Sequence, residues 1–334
     1  MSVPKLRFKE FDGDWLKLKY KDVLTIRYGK DHKSLNDGDI PVYGTGGLMR
    51  HVNKYLYDGE SILIGRKGTI DKPKYINEKF WTVDTLFYTE IEESIVPLFL
   101  YQHALEVNWL GLNEATGVPS LNTTSIYNID ISIPSKEEQT KIASFLSAVD
   151  EKISQLTKKH ELLSQYKQGM MQKLFSQQVR FKADDGSEFG EWDQLKFKDV
   201  IKIKYGKDHK KLDDGDIPVL GTGGVMRYVD SYLYEGESIL IGRKGTIDKP
   251  RFISGKFWTV DTLFYTEIGE KILPKFAFQQ LLLVNWLNLN EATGVPSLNT
   301  TSIGNIELKV PCLAEQTKIA NVLSAIDQKI EVVS

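Results

Sequence analysis

The chain has 334 residues, 41% apolar and 26% charged, with a net charge of −2; this is an ordinary globular composition that excludes intrinsic disorder and leaves room for about two domains. No run approaches the roughly 18 consecutive apolar residues of a membrane span, and Met1-Ser2-Val3-Pro4-Lys5 lacks the apolar stretch of a secretion signal. A near-neutral balance argues against a protein that holds nucleic acid tightly by itself, because phosphate neutralisation supplies most of such affinity, and a lone cysteine, Cys312, fits a reducing cytoplasm. Cys312, beside Pro311, is expected to be a small apolar filler.

The elements come in two textures, each written twice. From Leu16 to Thr89, short β-branched and aromatic runs (23–26, 61–64, 80–83 and 86–89) alternate with Asn36-Asp37-Gly38-Asp39, Gly44-Thr45-Gly46-Gly47 and Asp58-Gly59, which predicts a mixed or antiparallel sheet with prominent loops. Pro97 to Leu110 has the spacing of a helix with proline in its first turn. Asn113 to Asn122 is polar, contains Gly117 and Pro119, and predicts a loop; Asn128 to Ile133 predicts a closing strand. All of this recurs at an offset of 177, as Trp15 and Trp192, Gly29 and Gly206, or Arg66 and Arg243 show. Of the 63 pairs beginning at Gly29 and Gly206, 51 are identical, and Leu112 to Ile126 repeats unchanged as Leu289 to Ile303. So long a period marks repeated domains rather than layers of a solenoid. Two copies of one surface therefore meet two copies of one partner, or one partner with its own two-fold symmetry.

Between the copies, Ser135-Lys136-Glu137-Glu138 predicts a capping box at the start of a helix that continues to about Gln178. Ile142, Leu146, Val149, Ile153, Leu156, Leu163, Met170 and Leu174 follow steps of three and four, interrupted by His160 and Lys167. A helix of that extent would be roughly 66 Å long, close to two turns of B-DNA. The second copy begins the same helix at Glu315-Gln316-Thr317-Lys318-Ile319-Ala320 but carries no counterpart of Lys159 to Gln178. It is expected to run back antiparallel along the first, with a two-fold relation between the globular units. The stretch from Ile142 to Ile153 would then be left without intrachain cover, open to a partner subunit or to self-association with a second copy of the chain. The expected division is 1–134, a long spacer helix 135–178, 179–311, and a short helix 312–334.

Base is clustered on this neutral body, at Lys17, Lys19, Lys21, Arg27, Lys30, His32 and Lys33, and again at Lys196, Lys198, Lys202, Lys204, Lys207, Lys210 and Lys211. A globular unit, a long helix, a second such unit and a further helix, carrying Ile-Pro-Val-Tyr-Gly-Thr-Gly-Gly (40–47), Ile-Leu-Ile-Gly-Arg-Lys-Gly-Thr-Ile (62–70) and Ile-Pro-Ser-Lys-Glu-Glu-Gln-Thr-Lys-Ile-Ala (133–143), resembles the DNA-specificity subunit of type I restriction-modification systems over nearly the whole chain. The resemblance implies an α+β fold of two β-rich target-recognition domains separated by antiparallel coiled-coil helices with a pseudo-two-fold axis. It also implies double-stranded DNA as ligand, two methyltransferase subunits as partners with restriction subunits joining them, no catalysis by this chain, and no cofactor of its own, adenosylmethionine residing in the methyltransferases. Such systems work in a bacterial or archaeal cytoplasm. The family's two recognition domains often differ; here they nearly coincide, which predicts an interrupted inverted repeat as target, relaxed wherever Tyr43/Leu220, Leu48/Val225, His51/Tyr228 or Lys74/Arg251 touches a base.

Candidate DNA-contacting residues lie in the loops. Arg66 and Lys67, with Arg243 and Lys244, sit between glycines, and arginine can bond guanine bidentately. Lys30, His32 and Lys33, with Lys207, His209 and Lys210, follow a strand and suit phosphate or base, as do Arg50 and Arg227. Thr45 and Thr222 lie in glycine turns that lack the Gly-x-Gly-x-x-Gly spacing of a nucleotide cradle. Asn113, Thr116, Asn290 and Thr293 are short polar donors, which equally could only fix their loops. Trp81, Trp109, Trp258 and Trp286 are expected in the core. Three other classes fit the sequence less well. A self-contained methyltransferase needs a glycine loop for adenosylmethionine and an Asn/Asp-Pro-Pro-aromatic segment, and neither appears; a metal-dependent nuclease would have to use Asp31-His32 and Asp84 with Asp208-His209 and Asp261, which lack metal spacing; a repeat scaffold that binds no DNA is the third.

Overall fold

A computed structural model describes residues 5–333; part of the Met1–Lys5 segment, and Ser334, lie outside the described residues. Two compact units divide at Ser154/Gln155. The boundary falls inside the long helix, because each half of that helix is packed into the unit beside it.

In the first unit, β1 (Leu16–Lys19) pairs antiparallel with β8 (Asp130–Ile133), so the closing strand returns beside the opening one. β2 (Leu24–Tyr28), β3 (Ile40–Gly44), β4 (Gly47–Val52), β5 (Tyr57–Gly65), β6 (Lys74–Thr82) and β7 (Leu86–Ile91) form one six-stranded sheet in the order β2-β7-β5-β6-β3-β4. Every pairing is antiparallel except β3 with β6, where Val42 lies opposite Trp81. The sheet is therefore mixed. β5 turns from β6 to β7 along its length, and at the change buried Ser61 and Thr89 replace ladder bonds: Ser61 Oγ donates to the Thr89 carbonyl at 2.8 Å, and Thr89 Oγ1 accepts from Ile62 N at 2.9 Å. α1 (Pro97–Glu106) lays Phe99, Leu100 and Ala104 onto Tyr20, Ile62, Phe87 and Trp109 to make the main core. It is shorter than the sequence pattern predicts; a 3-10 turn, Trp109–Leu112, follows it. α2 (Thr123–Tyr127) is a short helix capped by Asn122, whose side chain accepts from Ser125 N.

α3 (Lys136–Phe175) is a single helix of 40 residues. Ser135 Oγ accepts from Glu138 N at 3.3 Å, but the reciprocal half of the predicted box is not made. Glu138 is buried instead and holds Arg7 through Nε at 2.7 Å and Nη2 at 2.6 Å. The next residue ties helix to domain: buried Gln139 accepts from Val96 N at 2.8 Å, at the start of α1, and donates to the carbonyls of Ser94 and Pro134.

The second unit repeats this plan with β9 (Asp193–Lys196), α4 (Phe197–Val200), β10 (Ile201–Tyr205), β11 (Ile217–Gly221), β12 (Gly224–Val229), β13 (Tyr234–Gly242), β14 (Arg251–Thr259), β15 (Leu263–Ile268), α5 (Pro274–Leu281), α6 (Thr300–Gly304) and β16 (Glu307–Val310). Its six-stranded order, β10-β15-β13-β14-β11-β12, is the same, and β11 with β14 is again the parallel pair. α7 (Leu313–Glu331) runs antiparallel to the second half of α3. Lys167 Nζ meets Asp327 at 2.6 Å, and Met171, Leu174 and Phe175 share one buried cluster with Ile319, Leu323 and Ile326. Cys312, expected to fill a gap in the core, is exposed at the N-terminal cap of α7. Among the described residues no helix is long and apolar enough to cross a membrane.

Candidate nucleic-acid interface

On each unit, the loops at one end of the sheet bring most of the candidate residues together. After β2, Gly29 has no room for a side chain, since a Cβ there would lie 2.0 Å from the Val83 carbonyl. Lys30 N donates to Thr82 O at 2.8 Å, and the indole of Trp81 donates to the Lys30 carbonyl at 2.9 Å. Trp81 and Trp258 are thus only partly core; their N–H groups brace the basic loops of Lys30, His32 and Lys33 and of Lys207, His209 and Lys210. Lys30, Lys33, Lys207 and Lys210 are exposed, while His32 and His209 are half-buried, each with a buried Nδ1 that has no protein partner.

Arg66 and Lys67 leave β5 on a loop of similar rigidity. Both backbone amides donate to the Thr85 carbonyl, at 2.8 and 3.1 Å, and Arg66 Nη1 donates to the Asp84 carbonyl at 3.1 Å. The guanidinium lies 5.4 Å from the ring centroid of Tyr28, a cation–π arrangement. Gly68, at φ +94°, continues the turn and brings a would-be Cβ within 3.3 Å of Thr45 Oγ1. Gly68 N donates to Pro119 O, and Leu121 N to Arg66 O, each at 2.9 Å, so the 113–122 loop joins the same face. Arg243 repeats the geometry, 3.0 Å from the Asp261 carbonyl and 5.6 Å from the ring of Tyr205. In the second unit a concavity of about 710 Å³ is lined by Asp208, His209, Lys210, Thr222, Met226 and Asp261.

Two sets of candidates have prior commitments. Arg50 donates to the Leu35 carbonyl and to Asp37 at 2.5 Å, and Arg227 to the Leu212 carbonyl and to Asp214 at 2.6 Å, so these arginines brace the acidic loops. The Asn113 amide accepts from Ala115 N and Ser120 N and donates to Ala115 O; Asn290 makes the same three bonds. Both asparagines fix their loops, whereas Thr116 and Thr293 stand exposed at the tips. Sequence reasoning missed exposed apolar residues of the face: Tyr28 and Tyr205 beneath the arginines, and Met49 and Met226 beside the glycine turns. The available signal was a tyrosine at a strand's end, immediately before Gly-Lys-Asp-His.

The copies differ at one coupled cluster. Lys74 Nζ sits 4.4 Å over the Tyr43 ring, and the Tyr43 hydroxyl donates to Glu78 at 2.7 Å. Burial, then the bond to Glu78, pushes this phenol up to about 12. The counterparts are Leu220, Arg251 and Gly255, and Arg251 instead donates to the Gly221 carbonyl of the glycine turn. Among the described residues no group of three or more His, Cys, Asp or Glu is placed to hold a metal.

Comparison with known proteins bears on this arrangement. A family model described as the type I restriction modification DNA specificity domain matches residues 12–164 and 190–333. The chain is 28% identical over 329 residues to the MjaVIII type I restriction enzyme specificity subunit of Methanocaldococcus jannaschii, covering 83% of this chain and 72% of that protein. It is 23% identical over 311 residues to a putative type I specificity subunit of Haemophilus influenzae, covering 86% and 80%. The crystal structure of a type I restriction-modification S subunit from M. genitalium superposes with a TM-score of 0.76 at 17% identity, over 99% of this chain and 94% of that one, a likeness of fold.

Proposed function

We propose that this chain, which belongs to the type I restriction-modification DNA specificity family, is the non-catalytic subunit that reads an interrupted inverted repeat in duplex DNA and docks two adenine methyltransferase subunits. The observation that carries the reading is the duplication of the reading face down to its bonds. Arg66 leans on the Asp84 carbonyl and the Tyr28 ring as Arg243 leans on the Asp261 carbonyl and the Tyr205 ring, and the glycine turns and basic loops repeat around them. Two readers this alike select like half-sites, and the target is a half-site, a spacer and the reverse complement of that half-site. A net charge of −2 leaves little general attraction to phosphate, and tight binding draws on the methyltransferases, to which adenosylmethionine belongs. Restriction subunits complete the nuclease where the host encodes them.

Arg66, Lys67, Lys30, His32, Lys33 and Thr45, with Arg243, Lys244, Lys207, His209, Lys210 and Thr222, are assigned to DNA contact; Thr116 and Thr293 reach the backbone from their loop tips. Arg50, Arg227, Asn113 and Asn290 act indirectly, by holding the loops in shape. Sequencing the methylated genome of a host that carries this chain and its methyltransferase should return one palindromic interrupted motif. Two unrelated half-sites would refute the symmetric reading, and cleavage of DNA by the purified chain with magnesium alone would refute the non-catalytic one.

A further inference from the structure

The hairpin of β3 and β4 stands at the edge of its sheet, and its register slips by one residue. Val42 lies opposite Arg50 but Tyr43 lies opposite Leu48, so Met49 is an extra residue with no partner across the ladder. Such a bulge twists an edge strand and re-aims its side chains. In an unbroken pleat Leu48 and Met49 would point to opposite faces; here both are 56% exposed. The second unit slips at the same place. Val219 opposes Arg227, Leu220 opposes Val225, and Met226 is the extra residue, with Val225 52% and Met226 60% exposed.

Each methionine lies across the last glycine of the preceding strand. A Cβ added at Gly44 would stand 2.7 Å from Met49 Sδ, and one at Gly221 2.8 Å from Met226 Sδ. Val225 and Met226 give the concavity of about 710 Å³ part of its apolar lining, beside His209, Lys210 and Thr222. In the first unit the turn between β3 and β4 borders the Arg66–Lys67 loop, since Thr45 Oγ1 is what a Cβ on Gly68 would meet. The copies have drifted nearby, His51 answering to Tyr228 and Lys54 to Ser231, yet position 49/226 keeps methionine and position 48/225 keeps an aliphatic residue. Paired aliphatic side chains held in the open within a basic rim point to an apolar group on the ligand.

We propose that Met49 and Met226, flanked by Leu48 and Val225, are specificity-determining residues that read the C5 methyl group of a thymine in the major groove, one in each half-site. The assignment rests on the DNA-reading function proposed above and adds to it the base edge that each hairpin selects. A two-stranded ribbon fits the major groove, and the thymine methyl is the one apolar feature among the base edges displayed there. The charged side chains of the same face, Arg66, Lys67, Lys30 and Lys33, suit guanine or phosphate. A methyl group is sensed by an apolar contact. Because the methionine is common to both copies and Leu48 exceeds Val225 by only one methylene, both half-sites carry the thymine at the same place.

The test uses the full chain in complex with its methyltransferase and duplexes of the methylated motif. Each thymine is replaced in turn by deoxyuridine, in both half-sites at once, which removes the methyl and keeps every hydrogen-bonding group. Competition binding should show one position that loses about fourfold per half-site, the worth of one buried methyl. Met49→Ala with Met226→Ala should abolish that sensitivity. Gly44→Ala with Gly221→Ala should weaken it by displacing the methionines; neither glycine has a positive φ, and the nearest atom in each case is the end of a flexible side chain, so the fold survives. Unchanged melting of each variant is the control for folding. Deoxyuridine tolerated at every position, or losses only at positions whose response survives the double methionine variant, would overturn the assignment while leaving DNA reading in place. A native complex without preference for the motif over unrelated duplex would defeat DNA reading itself, and the assignment with it.

Discussion

The two units are one design with two histories of pressure. On the reading face nearly every residue and every bracing bond is repeated, whereas the long helix meets its two domains in different company. In the second unit the helix α7 is covered by the end of α3; in the first, the equivalent face of α3 carries Phe145, Val149 and Ile153 in the open. What is nearly kept is the loop face proposed to contact DNA, and what diverges is the packing of the helix. Corresponding positions, Leu146 and Leu323 among them, are thus unequally buried, and burial sets the energetic worth of a residue.

The sharpest way to break this comparison is to truncate the same leucine in each copy. Leu323→Ala removes a fully buried side chain and should cost about 2–5 kcal/mol. Leu146→Ala, in a half-open groove, should cost below about 1 kcal/mol. Urea unfolding followed by hydrogen exchange within each unit reads both numbers. Equal costs would mean that the first groove is closed in solution. A second, smaller effect probes what the units share. Arg66→Ala and Arg243→Ala should each reduce discrimination at one base pair of one half-site by about 1–3 kcal/mol, with stability unchanged. Competition binding in the presence of the methyltransferase checks it; a uniform loss at every sequence would reassign these arginines to phosphate.

The sheet, the helix and the pairing of copies were legible in the sequence because period and composition are local signals. Alternation, turn residues and a 177-residue repeat are visible without contacts. Long-range polar commitments were not. Glu138 looked like half of a capping box because its spacing from Ser135 is right, yet Arg7, 131 residues away, claims its carboxylate. Arg50 and Asn113 looked available for DNA because charge and polarity are visible in sequence while hydrogen-bond partners are not. Tyr28 was passed over because a strand-end aromatic reads as core until its exposure is known.

The next effect in size concerns the cluster by which the faces differ. Tyr43, Lys74 and Glu78 form a chain of contacts, cation to ring and hydroxyl to carboxylate, and are replaced together by Leu220, Arg251 and Gly255. A double-mutant cycle between Tyr43→Leu and Lys74→Arg should give a coupling of about 0.5–1 kcal/mol. The triple variant Tyr43→Leu, Lys74→Arg, Glu78→Gly should recover most of the loss and make the first half-site preference match the second. A zero coupling energy would show that the three positions drifted independently.

The smallest effect is a difference in acid tolerance. Beneath α1, the Tyr20 hydroxyl and His103 Nδ1 share a hydrogen bond of 3.0 Å, where the second unit has Phe197 and Gln280. Burial holds His103 below its ordinary value of 6.5, opposed by nearby Glu106. Its neutral form is therefore favoured by folding, and the sign follows: the contribution is complete above about pH 6.5 and is lost as pH falls through the lowered value of the folded state. His103→Leu alone takes the partner from a buried hydroxyl and should lower stability at pH 7; adding Tyr20→Phe removes both partners and should return most of that cost. The double variant should then lose less stability between pH 7 and 5 than the native chain does, with the change confined to the first unit. An unaltered pH slope would mean that His103 takes up its proton as freely in the folded chain as in the unfolded one.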